Sequence, residues 1–134
     1  MIVANRKPLE EIEGMIKGYG KIILAGCNEC VTVCSVGGEK EVGILASELK
    51  LSRKKDGNDI EIKEVVLERQ CDQEYIEQLR PFVDEYEAIV SMACGAGVQF
   101  VAEKYRGKPV FPAVDTSFLG VTEEQGVWVE RCQG

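Results

Sequence analysis

Short apolar runs closed off by glycine or charge alternate along this chain with longer segments whose apolar positions recur every three or four residues. Lys21-Ile22-Ile23-Leu24-Ala25 sits between Gly20 and Gly26, and its nearly unbroken apolar stretch predicts a short strand covered on both faces. Ile60 to Leu67, Ala88 to Met92 and Pro109 to Phe111 predict a second, third and fourth strand. The intervening segments carry the helical period. Pro8 at an early helical position, the acids Glu10 and Glu11, and Leu9, Ile12 and Ile16 on one face predict a first helix ending by Gly18. Val42, Leu45, Ala46 and Leu49 predict a helix from about Gly38 to Lys55, closed by the charged turn Lys54 to Asn58. Asp72 can cap a helix from Gln73 through Leu79, which Pro81 should kink or restart before Tyr86. Cys94-Gly95-Ala96-Gly97 leads into a last helix carrying Val98, Val101 and Ala102 and stopping at Gly107.

This β-α-β-α-β-α-β order, with right-handed crossovers, predicts an α/β fold: a small four-stranded parallel sheet, flavodoxin/Rossmann-like, flanked by helices, in the strand order 2-1-3-4. With 134 residues and 45% hydrophobic content, the chain is expected to be a single α/β metal-binding domain spanning 1–134. Residues from about 119 to 134 lose the alternation. They read as an extended tail, with Val127, Trp128 and Val129 as an apolar handle for a partner.

Five of the six cysteines fall where a predicted strand gives way to a loop: Cys27, Cys30 and Cys34 after the first, Cys71 after the second, Cys94 after the third. The carboxyl ends of parallel strands share one edge, and neighbouring strands lie only about 4.8 Å apart. Thiols distant in sequence should therefore meet there. The chain has no histidine, so the commonest general base and the commonest nitrogen ligand are absent, and a metal would be held by sulfur. No residues stand out as catalytic. The formal charge of −7 argues against nucleic acid or an anionic membrane as partner. No apolar stretch long enough to span a bilayer and no leader pattern at Met1 to Pro8 are found, which predicts a cytoplasmic protein. In a reducing compartment its cysteines are better read as ligands or redox groups than as disulfides.

Cys27-x2-Cys30 with Cys34 forms a compact triplet, and Cys71 or Cys94 can supply a remote fourth ligand. That pattern favours a [4Fe-4S] cluster over zinc, which commonly uses two Cys-x2-Cys turns where this chain has one. A metal-free thiol–disulfide pair at Cys27 and Cys30 is a third possibility, though it leaves the other cysteines unexplained. Gly37-Gly38-Glu39 and Gly95-Ala96-Gly97 could offer backbone amides to sulfur or simply permit close helix packing. No nucleotide-binding glycine motif is present. Asp115-Thr116-Ser117 follows the fourth strand on the same edge and could face a substrate or partner or simply form a turn, and Arg69 could neutralise an anionic cluster.

The runs Ala25 to Val42, Glu68 to Cys71 (Glu-Arg-Gln-Cys), Met92 to Gln99 (Met-Ala-Cys-Gly-Ala-Gly-Val-Gln) and Pro112 to Gly120 resemble the family described as the methylenetetrahydrofolate reductase C-terminal domain. The resemblance covers nearly the whole chain. It implies an accessory electron-transfer subunit in one-carbon metabolism, docked on a flavin-containing methylenetetrahydrofolate reductase subunit that alone carries FMN or FAD. It also implies that Cys27, Cys30, Cys34, Cys71 and Cys94 match the family's metal-site cysteines. The alternative is a zinc-stabilised module that only holds the reductase subunit in place. Members of that family continue past Glu-Arg-Cys with further cysteines, so a chain stopping at Cys132-Gln133-Gly134 is expected to be shortened, and Cys132 has no assigned role.

Overall fold

In the computed structural model, which describes residues 1–132, two sheets share the work. Strands β2 (Lys21–Cys27), β3 (Glu61–Leu67), β4 (Ala88–Ser91) and β5 (Val110–Pro112) form a parallel sheet in the order β3-β2-β4-β5. This is the crossover order expected from the alternation of strands and helices. A second, antiparallel sheet pairs β1 (Ile2–Arg6) with β6 (Val114–Glu124) and β6 with β7 (Val127–Glu130).

That second sheet corrects the expectation of a single four-stranded parallel sheet, and it takes up most of the expected extended tail as far as Glu130, while the tail's last two positions, 133 and 134, lie outside the described residues. Val127, Trp128 and Val129 are strand β7, paired with Glu124, Thr122 and Val121. Asp115, Thr116 and Ser117 lie inside β6 rather than in a turn. The chain passes from one sheet to the other through Ala113, whose N–H bonds the Ser91 carbonyl and whose carbonyl accepts the Lys7 N–H, both at 2.8–2.9 Å.

The parallel sheet is covered on both faces because its strands present apolar residues to each side in alternation. Ile22, Leu24 and Val90 meet α1 (Leu9–Met15) and α3 (Glu39–Lys55) through Ile12, Leu45 and Leu49. Ile23, Ala25 and Ile89 meet the opposite layer of α4 (Gln73–Ile76), α5 (Arg80–Val83) and α6 (Gly95–Lys104) through Ile76, Leu79 and Val101. Each such fully buried side chain contributes about 1.5–3 kcal/mol of transfer free energy. The helix predicted at Gln73 to Leu79 breaks into α4, a 3-10 turn at Glu77–Leu79 and α5, with Pro81 in the first turn of α5. At the end of α3, Arg53 is buried and its Nη2 donates to the Ile16 carbonyl at 2.6 Å, satisfying the orphan end of α1. No helix among the described residues is long and apolar enough to cross a membrane.

Glu77 bridges Arg80 and Lys104, the latter at 2.6 Å, and hydrogen bonding from Arg80 then Lys104 lowers its carboxyl to about 2. A carboxylate whose pKa falls on folding stabilises above its unfolded value of about 4.3 and loses that contribution as pH drops toward the folded value. Glu77→Gln should therefore lower the Tm at pH 7, by a small amount because the pair is exposed, and the gap to the unsubstituted protein should close as pH falls from 5 to below 3. Thermal denaturation followed by circular dichroism across that range checks it.

Candidate thiol site at the strand ends

The last residue of β2 is Cys27, and the chain then folds back on itself. The Asn28 N–H extends the ladder to Leu67 of β3 at 2.9 Å, the Cys27 N–H bonds the Gly37 carbonyl at 2.9 Å, and Thr32 Oγ1 donates to the Cys27 carbonyl at 2.6 Å. Between these anchors, Cys30–Val33 makes the single turn α2, with Cys34 at its end. Ser35 takes a left-handed conformation (φ 59°) that turns the chain back toward Gly37.

The five strand-end cysteines gather at this edge as two neighbouring groups rather than one. Cys27 lies within electrostatic reach of Cys71 and Cys94. It packs in a small apolar cluster with Val31, Ala93, Ala4 and Val114, and Cys94 borders the same cluster. Cys30 and Cys34 stand four residues apart on α2, and the Cys34 thiol donates to the Cys30 carbonyl at 3.3 Å. Cys27 and Cys34 are buried, Cys30 and Cys94 half-buried, and Cys71 exposed. Cys132 is exposed and lies past the end of β7.

Burial pushes the Cys27 thiol up, against the pull of the Glu29 and Gln70 main-chain N–H groups; the nearby Cys71 and Cys94 add to the rise. Burial likewise raises Cys34, opposed by the N–H of Ala4 on β1. The N-terminal strand, for which the sequence predicts no element, is therefore a wall of the site. Three of the glycine amides offered by the sequence are otherwise engaged: Gly37 N–H bonds the Val31 carbonyl, Gly38 N–H bonds Glu41 Oε2 at 3.1 Å, and Gly95 N–H bonds Thr116 Oγ1 at 2.9 Å. Arg69 pairs with Asp72 at 3.3 Å and lies over the Tyr75 ring, so its charge sits on the rim.

Sequence reasoning also passed over Gln70. Its side chain is fully buried, with Nε2 donating to the Ala25 and Gly26 carbonyls at 2.8 and 2.9 Å and Oε1 accepting from Ser91 Oγ at 2.6 Å. No local pattern distinguishes it from a solvated loop glutamine.

Comparison with protein-family models, curated proteins and solved structures finds no match. The chemistry of this edge is consequently judged on its own groups. The donors are sulfur, suited to zinc or iron, and two amides face the most buried part of the set. Among the described residues, no three Cys, Asp or Glu side chains stand close enough to hold a metal ion as placed. Coordination requires the thiols to come closer together than they stand here. A cleft of about 510 Å³ beside Arg80, Lys104, Arg106 and Lys108 opens near the far end of α6, and Glu77 already neutralises part of its charge.

Proposed function

We propose that this chain is a metal-binding accessory subunit, iron–sulfur in preference to zinc, that relays electrons for a flavin-containing methylenetetrahydrofolate reductase in the cytoplasm. The observation that carries the reading is the convergence of the four sequence runs bearing the resemblance. The end of β2 with α2, the loop after β3, the start of α6 and the beginning of β6 meet along one edge. The bonds from Gln70 to Ala25 and Gly26, Ser91 to Gln70, and Gly95 to Thr116 join them. Cys27, Cys30, Cys34, Cys71 and Cys94 are the candidate ligands, five thiols for four positions.

A bound cluster would supply one-electron transfer. The chain's own contribution is to shelter Cys27 and Cys34 from water, to aim the Glu29 and Gln70 amides at sulfur, and to leave Cys71 on the outside, where an electron partner can approach. Folate and flavin chemistry belongs to the reductase subunit, since this chain has no histidine to serve as general base.

Anaerobically purified protein should contain about four iron atoms per chain, absorb broadly near roughly 400 nm, and bleach with dithionite. It should also co-elute with the flavin-containing subunit. One zinc and no iron, with no bleaching, favours the zinc-stabilised docking module, whose metal contributes folding free energy directly. Protein that takes up neither metal after anaerobic reconstitution overturns both.

A further inference from the structure

The parallel ladder between β2 and β4 stops at Ala25 and Ser91, whereas β2 and β3 stay paired to Cys27 and Leu67. The tip of β2 that carries Cys27 therefore projects beyond its β4 neighbour. The carboxamide of Gln70 fills that gap. Its Nε2 supplies the Gly26 carbonyl with a donor and shares the Ala25 carbonyl with the Met92 N–H. Its Oε1 takes the hydroxyl hydrogen of Ser91, and Ser91 Oγ accepts the Ala93 N–H at 3.2 Å.

One buried side chain thus bonds the two residues before Cys27 and, through Ser91, reaches the residue before Cys94, while its own backbone leads into Cys71. The start of α6 is pressed against it: a Cβ at Gly97 would lie 2.9 Å from Gln70 Cβ and 2.7 Å from Ala93 Cβ. Only a carboxamide offers two donors and an acceptor in one plane at this length. Glutamate would set a carboxylate against two carbonyls, and methionine would remove the second donor on the Ala25 and Gly26 carbonyls and leave the Ser91 hydroxyl without its acceptor.

We propose that Gln70 is the positioning residue of the strand-end thiol site, locking the tips of β2 and β4 so that the segments carrying Cys27, Cys71 and Cys94 stay beside one another. The inference rests on the thiolate-metal reading above, and its test separates the two. Cobalt(II), added to reduced metal-free protein under nitrogen and competed against a chelator, reports affinity, and its d–d absorption reports ligand geometry.

Gln70→Met should bind cobalt about 10–100-fold more weakly with an altered d–d envelope. Ser91→Ala, a milder lesion that keeps the fold if Gln70→Met does not, should shift both in the same direction by less. Alongside, the buried Cys27 of metal-free Gln70→Met should react faster with a bulky thiol reagent while the exposed Cys71 reacts at an unchanged rate. Unaltered cobalt affinity and spectrum together with unaltered Cys27 protection overturn the inference and leave the metal reading standing. Unsubstituted protein that binds no cobalt, iron or zinc, in which Gln70→Met still exposes Cys27, overturns the metal reading and leaves the lock.

Discussion

Cys27→Ser is expected to remove nearly all bound metal and to destabilise the metal-free protein as well, by about 1–2 kcal/mol. The two effects have separate causes. Loss of metal follows from losing the sulfur that interacts with both Cys71 and Cys94. Loss of stability follows from the pocket, since the side chain is buried against Val31, Ala93, Ala4 and Val114. The amides of Glu29 and Gln70 can donate to a serine oxygen, but nothing in that apolar cluster accepts its hydrogen. Cys71→Ser should behave differently. Its side chain is exposed, so the substitution should deplete the metal while leaving the metal-free protein as stable as before. Cys34→Ser should deplete the metal but destabilise less than Cys27→Ser, because the Cys30 carbonyl that receives the Cys34 thiol can receive a hydroxyl, and Cys132→Ser should alter neither quantity. Metal analysis and urea denaturation of each variant, with and without metal, resolve the pattern. Cys132→Ser protein that loses its metal while Cys27→Ser and Cys71→Ser keep theirs would place the site away from the strand ends.

The parallel half of the fold was legible because its signals are local. Glycines bracket Lys21 to Ala25, and Val42, Leu45, Ala46 and Leu49 repeat at helical spacing, so burial on two faces could be read without knowing any long-range partner. The antiparallel sheet offered no such signal. Ile2 to Arg6 is five residues with a single clear apolar run, and it becomes a strand only because β6, more than a hundred residues later, pairs with it. Strand β6 itself carries Asp115, Thr116, Ser117, Glu123 and Glu124, and most of its side chains are exposed, so its composition reads as turn and tail. Tertiary pairing overrode weak local preference there.

At the strand ends, position in the sequence placed five cysteines along one edge, but sequence spacing cannot show that Cys27 interacts with Cys71 and Cys94 while Cys30 and Cys34 interact with each other on α2. Nor can it show that Gln70, neutral and adjacent to Cys71, is buried. The burial of Gln70 depends on where β4 stops, a register that only the folded sheet defines.

The same register makes Gly37 the most sensitive backbone position in the loop. A methyl group there would run into the carbonyl oxygen of Met92, just past β4, and would sit 2.6 Å from Val31 Cγ2. The carbonyl cannot turn aside, because the Met92 N–H on the neighbouring peptide is bonded to Ala25 at 2.8 Å, and Gly37 cannot retreat, because its own carbonyl receives the Cys27 N–H and its N–H bonds Val31. Relief must come from moving α2 outward, which drags Cys27 from its pocket and parts Cys30 and Cys34 from the strand tips. Gly37→Ala is therefore expected to cost about 3 kcal/mol, the upper end for overpacking because the obstacle is backbone. It should also abolish metal binding although no ligand is touched. Gly14→Ala supplies the contrast. That glycine lies inside α1 with nothing within 4 Å of a built Cβ, so the same substitution should stabilise by about 0.5–1 kcal/mol through helix propensity alone and leave metal content unchanged. Urea denaturation of the two variants side by side gives opposite signs if the β2–α2 loop is pinned between Met92 and Val31, and a Gly37→Ala protein as stable as the unsubstituted chain shows that the loop is free to shift.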